Sequence, residues 1–146
     1  MNNYLYLILI FIILSCDNKP DSEIIKWRKN KNIWDNSSMI NYSFDFSASC
    51  YCVDEWVREV NVSVNEEIII DVFFIEDSLK PTILKSNDWF TINTLFEISK
   101  ASIEDAHQFK IEYDKKYGNP IIISIDWDSL MADDESTFYI KNIKQN

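Results

Sequence analysis

Four groups of residues in this 146-residue chain carry side chains suited to chemistry. They are the closely spaced pair Cys50 and Cys52, the single histidine His107, the acidic stretch from Asp126 to Glu135, and the loop around Gly118, the only glycine. Cys50-x-Cys52 has three readings: a disulfide, half of a metal site, or two reduced core thiols. A structural zinc site wants four ligands, and His107 lies far along the chain. A redox role has some basis, because strained bridges reduce more easily, but the spacing is not the helix-mounted C-x-x-C of thioredoxins.

In the acidic stretch, Asp126-Trp127-Asp128 and Asp133-Asp134-Glu135 offer the carboxylates that a hard cation such as calcium requires. The spacing fails the EF-hand pattern, with Leu130 where an oxygen ligand should stand and Met131 in place of the turn glycine. A solvated loop is the better expectation, and no metal or other cofactor is expected. His107 is the obvious general base, yet no serine in a nucleophile elbow accompanies it. A glycine-rich loop to build an oxyanion hole or cradle phosphate is also missing. Asp133 and Asp134 are weak evidence for acid–base chemistry, being mere neighbours in a loop. With no catalytic constellation, the expectation is a protein that is not an enzyme. In Tyr113-Asp114-Lys115-Lys116-Tyr117-Gly118-Asn119-Pro120, every residue has a turn role. Gly118 supplies positive φ, Asp114 bonds loop amides, and Pro120 opens a strand where a missing donor is tolerated. The set Asp114, Tyr117, Gly118 and Pro120 is therefore read as a structural turn.

The third cysteine stands apart from the others. Residues Tyr4 to Leu14 form an apolar run too short for a transmembrane helix, which takes about 20 residues, but long enough for the core of a secretory leader. It ends in Ile13-Leu14-Ser15-Cys16, which resembles the lipobox of bacterial lipoproteins. Residues 1–15 are then a signal peptide and Cys16 a lipidated amino terminus. The leader has no charged side chain, so the mature domain carries all 14 basic and 24 acidic residues, net −10. That balance argues against nucleic acid and against electrostatic adhesion to anionic headgroups. Membrane attachment falls to the acyl chains on Cys16. Once Cys16 is set aside, Cys50 and Cys52 are an even remainder in an oxidising compartment, and a disulfide is expected. A bridge across one residue needs a bent backbone.

These residues must be positioned by elements that the hydropathy pattern lays out. Residues 16–22 read as a tether, with Ser22 capping a helix whose Ile24, Trp27 and Trp34 share one face and which ends near Asn36. Tyr42, Phe44 and Phe46 alternate with Ser43, Asp45 and Ser47, and an unbroken strand carries Cys50 and Cys52 onto the aromatic side. Val60, Val62 and Val64 form a second strand, and Asn65-Glu66 forms a turn in which Asn tolerates positive φ. A third strand runs from Glu67 to about Ile75. Thr91 opens a helix with Ile92, Leu95, Phe96, Ser99 and Ile103 on one face. Strands follow at Phe109 to Tyr113, Ile121 to Ile125 and Thr137 to Ile143. The expected fold is a single two-layer α+β domain over 23–146, an antiparallel β-sheet with two helices in the order α-β-β-β-α-β-β-β. The order invites a duplication of one helix and a three-stranded meander. An antiparallel sheet can leave its second face to solvent or a partner.

Together, Cys50-Tyr51-Cys52, Ile92 to Phe96, Tyr113-Asp114-x-x-Tyr117-Gly118-x-Pro120, Ile125-Asp126 and Ala132-Asp133-Asp134-Glu135 resemble a bacterial family of small secreted proteins and lipoproteins of unassigned function. The resemblance covers Trp34 to Ile143. The expected function is a cell-envelope lipoprotein, membrane-held through Cys16 on the periplasmic or surface side. It would serve as a non-enzymatic binding, accessory or inhibitor-like module for an envelope protein. The alternative is a thiol-redox or metal-handling factor using Cys50 and Cys52.

Overall fold

The computed structural model describes residues 19–146. The leader and Cys16 lie outside the described residues. Helix α1 spans Lys19–Asp35, earlier than a cap at Ser22 would allow. Pro20 sits in its first turn, where backbone N–H groups have no helical partner to lose. Strand β1 (Asn41–Cys50) follows, and then a helix that the sequence pattern did not show, α2 (Asp54–Val57). Among the described residues the expected two α-helices are therefore corrected to three, and the expected order gains an element between the first two strands. One turn of helix is too short to display a period.

Strands β2 (Val60–Asn65) and β3 (Ile68–Phe74) form a hairpin. Its positive-φ positions are Glu66 and Glu67, not Asn65 as the turn chemistry suggests. Helix α3 (Ile92–Asp105) starts at Thr91, whose hydroxyl accepts from the Thr94 N–H at 3.2 Å. Strands β4 (Gln108–Tyr113), β5 (Pro120–Asp126) and β6 (Ser136–Gln145) complete one open, six-stranded sheet in the order β3-β2-β1-β6-β5-β4. Every neighbouring pair is antiparallel.

Two meanders thus meet along β1 and β6. The first runs from the centre of the sheet to one edge, and the second runs from the other edge back to the centre. The strand order reads β3-β2-β1 and then β6-β5-β4, two meanders side by side, with α1 before the first and α3 before the second.

One face of the sheet holds the core. Tyr42, Phe44, Phe46 and Ala48 on β1 line up with Val60, Val62 and Val64 on β2 and with Phe138 and Ile140 on β6, all buried. Helix α3 covers the β4–β5 half with Ile92, Leu95, Phe96 and Ile103. Over the other half there is no long helix. Instead Trp56 of α2 and Trp89 and Phe90 close around Phe46 and Phe138, with ring centroids 4.9 to 6.1 Å apart. Edge-to-face and tilted contacts of this kind add to the area that large aromatics bury. Helix α1 packs mainly on α3. Trp27 donates its indole N–H to the Phe96 carbonyl at 2.8 Å, and buried Trp34 meets Tyr42 edge-on. The two tryptophans are packing residues, as their helical spacing implies.

Candidate binding surfaces

Each sequence-derived site among the described residues has a definite place. Cys50 and Cys52 are joined, with sulfurs 2.02 Å apart and Cα atoms 5.3 Å apart. They do not share the aromatic side of a continuing strand. β1 stops at Cys50, which packs half-buried against the core, and the chain bends at Tyr51 to leave Cys52 exposed. That bend supplies the geometry a three-residue bridge requires.

The turn residues act together. Asp114 Oδ1 accepts from the N–H groups of Lys116 and Tyr117 at 2.8 and 2.7 Å, and the Gly118 N–H donates to the Asp114 carbonyl at 3.1 Å. Gly118 has φ +76°, and a Cβ there would lie 2.4 Å from the Asn30 carbonyl oxygen of α1. The glycine is therefore needed twice, for the turn and for the approach of a helix. Beside it Asn119 is fully buried and donates to the Pro120 carbonyl at 3.0 Å, a role the sequence gave no cue to.

Two carboxylates of the acidic stretch bond within its own loop. Asp134 Oδ2 accepts from the Asp128 N–H and Asp128 Oδ1 from the Leu130 N–H, both at 2.9 Å. Among the described residues, no group of three or more His, Cys, Asp or Glu is placed to hold a metal ion. His107 is exposed in a groove it shares with Glu23, Lys26 and the outer strand β4, and its N–H donates to the Trp127 carbonyl at 3.3 Å. Neither serine nor cysteine lines that groove.

Another carboxylate, not singled out by sequence, is the most heavily engaged in the molecule. Glu55 of α2 accepts from the backbone N–H groups of Thr82, Ile83 and Leu84 and from the Thr82 hydroxyl, at 2.8 to 3.0 Å. Removal from water raises its pKa, but these four bonds to the charged form outweigh that and bring it down to about 2. Glu55 thereby pins the long connection between β3 and α3.

Two surfaces are left for binding. The first is the sheet face away from the helices, where register places Ser43, Asp45 and Ser47 of β1 beside Asn61 and Ser63 of β2 and Tyr139 and Lys141 of β6. Its polar side chains are fixed across strands. Asp45 accepts from Asn61 at 2.8 Å and from Asn142 at 2.7 Å, and the Ser124 and Thr137 hydroxyls share a 2.9 Å bond. Tyr139 and Ile122, paired across β6 and β5, and Phe73, opposite Asn61, are apolar side chains of this face. The second surface is the rim of the sheet. Cys50 pairs with Ser136, Ser136 with Ile125, and Asp126 with Gln108, so the disulfide turn and the β5–β6 loop emerge at the same end. There Tyr51 is 88% exposed and Leu130 93%.

Fold and surfaces define a small two-layer α+β domain with one packed and one open sheet face. The chain belongs to a family of unknown function (DUF6174), whose pattern it matches over residues 26–145, from within α1 to the end of β6. No curated protein matches it.

Proposed function

We propose that the chain is exported and lipidated at Cys16, and that its domain is a non-enzymatic binding or accessory module, inhibitor-like in character, for a protein of the cell envelope. The observation that carries this reading is the uncovered sheet face. Its side chains are already held by Asp45–Asn61, Asp45–Asn142 and Ser124–Thr137 bonds, so docking there orders little that is not ordered in the free protein. The strand edges are less suited to a partner. Lys26 of α1 donates to the Ile111 carbonyl of outer strand β4 at 3.3 Å. On β3, the Val72 N–H is taken by Asp71 and the Phe74 N–H by the Leu79 carbonyl. Guarding edges in this way opposes strand addition and leaves the face.

The alternative, a thiol-redox or metal-handling factor, has exposed Cys52 in its favour. Against it, Cys50 and Cys52 are already bonded to each other, and among the described residues no group of three His, Cys, Asp or Glu forms around them. The test is a photo-crosslinking residue at Tyr139, compared with one at Ile68 on the outer strand, in cells making the full chain. A discrete adduct from position 139 that Ile122→Asp abolishes supports the face as a docking surface. Equal adducts from both positions, or none from either, sinks the idea.

A further inference from the structure

The rim also has an orientation with respect to Cys16. Helix α3 begins against the start of β1, where the Ile92 N–H donates to the Tyr42 hydroxyl at 3.2 Å. It ends at Asp105, three residues before β4 starts at the rim. Helix α1 runs the opposite way. Its Trp27 meets Phe96 and the Lys100 ammonium, and further on its Lys31 meets Phe96 and its Trp34 meets Tyr42. The amino end of α1 therefore points to the same end of the molecule as the disulfide turn and the β5–β6 loop. Lys19, the first residue of α1, stands three positions after Cys16. At roughly 3.6 Å per residue, whatever lipid Cys16 bears can lie no more than about 11 Å from that helix end.

We propose that the rim is a membrane-contacting surface, with Tyr51, Trp127, Leu130 and Met131 seated in the headgroup region of the bilayer that holds Cys16. The inference rests on lipidation at Cys16. Leu130 and Met131 are 93% and 59% exposed at the tip of a loop whose backbone is fixed by Asp128 and Asp134. Tyr51 projects from a turn clamped by the disulfide. Two rigid turns carrying exposed apolar and aromatic side chains suit the interface, where Tyr and Trp place a ring among headgroups. The carboxylates of the same loop fix the lipid chemistry, since Asp133 and Glu135 are repelled by anionic headgroups and the contact favours zwitterionic ones. An acyl chain tethers the domain, and this second contact sets its tilt. With the rim down, the open sheet face stands across the membrane plane, accessible to a neighbouring envelope protein.

The experiment uses the full, processed chain in phosphatidylethanolamine vesicles whose acyl chains carry bromine, which quenches nearby tryptophan emission. Flotation is measured on the same samples. The expected result is strong quenching that Trp127→Phe removes and that the double substitution Tyr51→Asp, Leu130→Asp abolishes while the protein still floats. Adding phosphatidylglycerol should weaken the quenching. Both aspartate positions are exposed, and an unchanged melting temperature will show that the variant is folded. Flotation with quenching that neither variant changes overturns the rim contact and leaves lipidation standing. Failure to float overturns lipidation, and the proposed contact with it.

Discussion

At the scale of single residues, Gly118 and Glu55 hold segments that have little regular structure of their own. Gly118 joins the β4–β5 loop to α1, so Gly118→Ala adds both a left-handed backbone penalty and a Cβ pressed against the Asn30 carbonyl. The expected loss is about 2 kcal/mol or more, read as a lower urea midpoint with an unchanged slope. Glu55 works through its charge. Its pKa is lowered in the fold from an ordinary 4.5 to about 2, so its contribution is complete above pH 4.5 and disappears as pH falls toward 2. The melting temperature of wild type should therefore exceed that of Glu55→Gln most at pH 6, with the gap closing by about pH 2. A constant gap across that range would show that geometry rather than charge matters there. The left-handed turn at Gly118 follows from local sequence, but its approach to α1 and the clamp at Glu55 do not. The partners of Glu55 lie 27 to 29 residues away, and the helix that Gly118 touches lies about 85 residues upstream.

At the scale of elements, the hydropathy period located what packing reinforces. Strand β1 and helix α3 are where alternation and the i, i+3, i+4, i+7 pattern place them, because Tyr42, Phe44 and Phe46 and then Ile92, Leu95 and Phe96 all face one core. The cap at Thr91 is likewise legible, and Thr91→Ala should cost about 1 kcal/mol, measured by thermal or urea unfolding. A loss near zero would mean that the Tyr42 hydroxyl, which accepts from Ile92, is sufficient to hold the helix start. What the pattern missed has physical causes. Helix α2 is four residues long, less than two turns, and its stability comes from Trp56 in the aromatic cluster and Glu55 in the clamp. The break at Tyr51 is invisible to alternation, which carries on through any residue that lacks a turn signal. The candidate surfaces were partly legible: an open face follows from an antiparallel sheet, but its composition needed the β1–β6 register. The rim combines Tyr51 with Leu130, 79 positions apart in sequence.

At the scale of the whole molecule, the balance of charge should govern how stability responds to salt. The net charge is −10, and every charged side chain lies at Asp17 or beyond. Ion pairs such as Lys80–Asp71, Lys110–Glu112 and Arg58–Asp77 lie at the surface. Exposed pairs of this kind contribute roughly 0 to 1 kcal/mol each and are short-ranged. The unbalanced acidic charge is spread over the entire domain and repels itself across longer distances. Salt screens long-range repulsion before it affects close pairs, and the Debye length falls from about 30 Å at 0.01 M to about 8 Å at 0.15 M. Raising sodium chloride over that range should therefore raise the melting temperature, by on the order of 2 to 4 °C for each kcal/mol of repulsion removed. A fall in melting temperature would show instead that the surface pairs, the Arg58 link to Asp77 among them, outweigh the net charge. The same measurement on Lys80→Gln reads the two effects together. Loss of one pair and one positive charge should lower stability most at low salt, where the remaining acidic field is least screened.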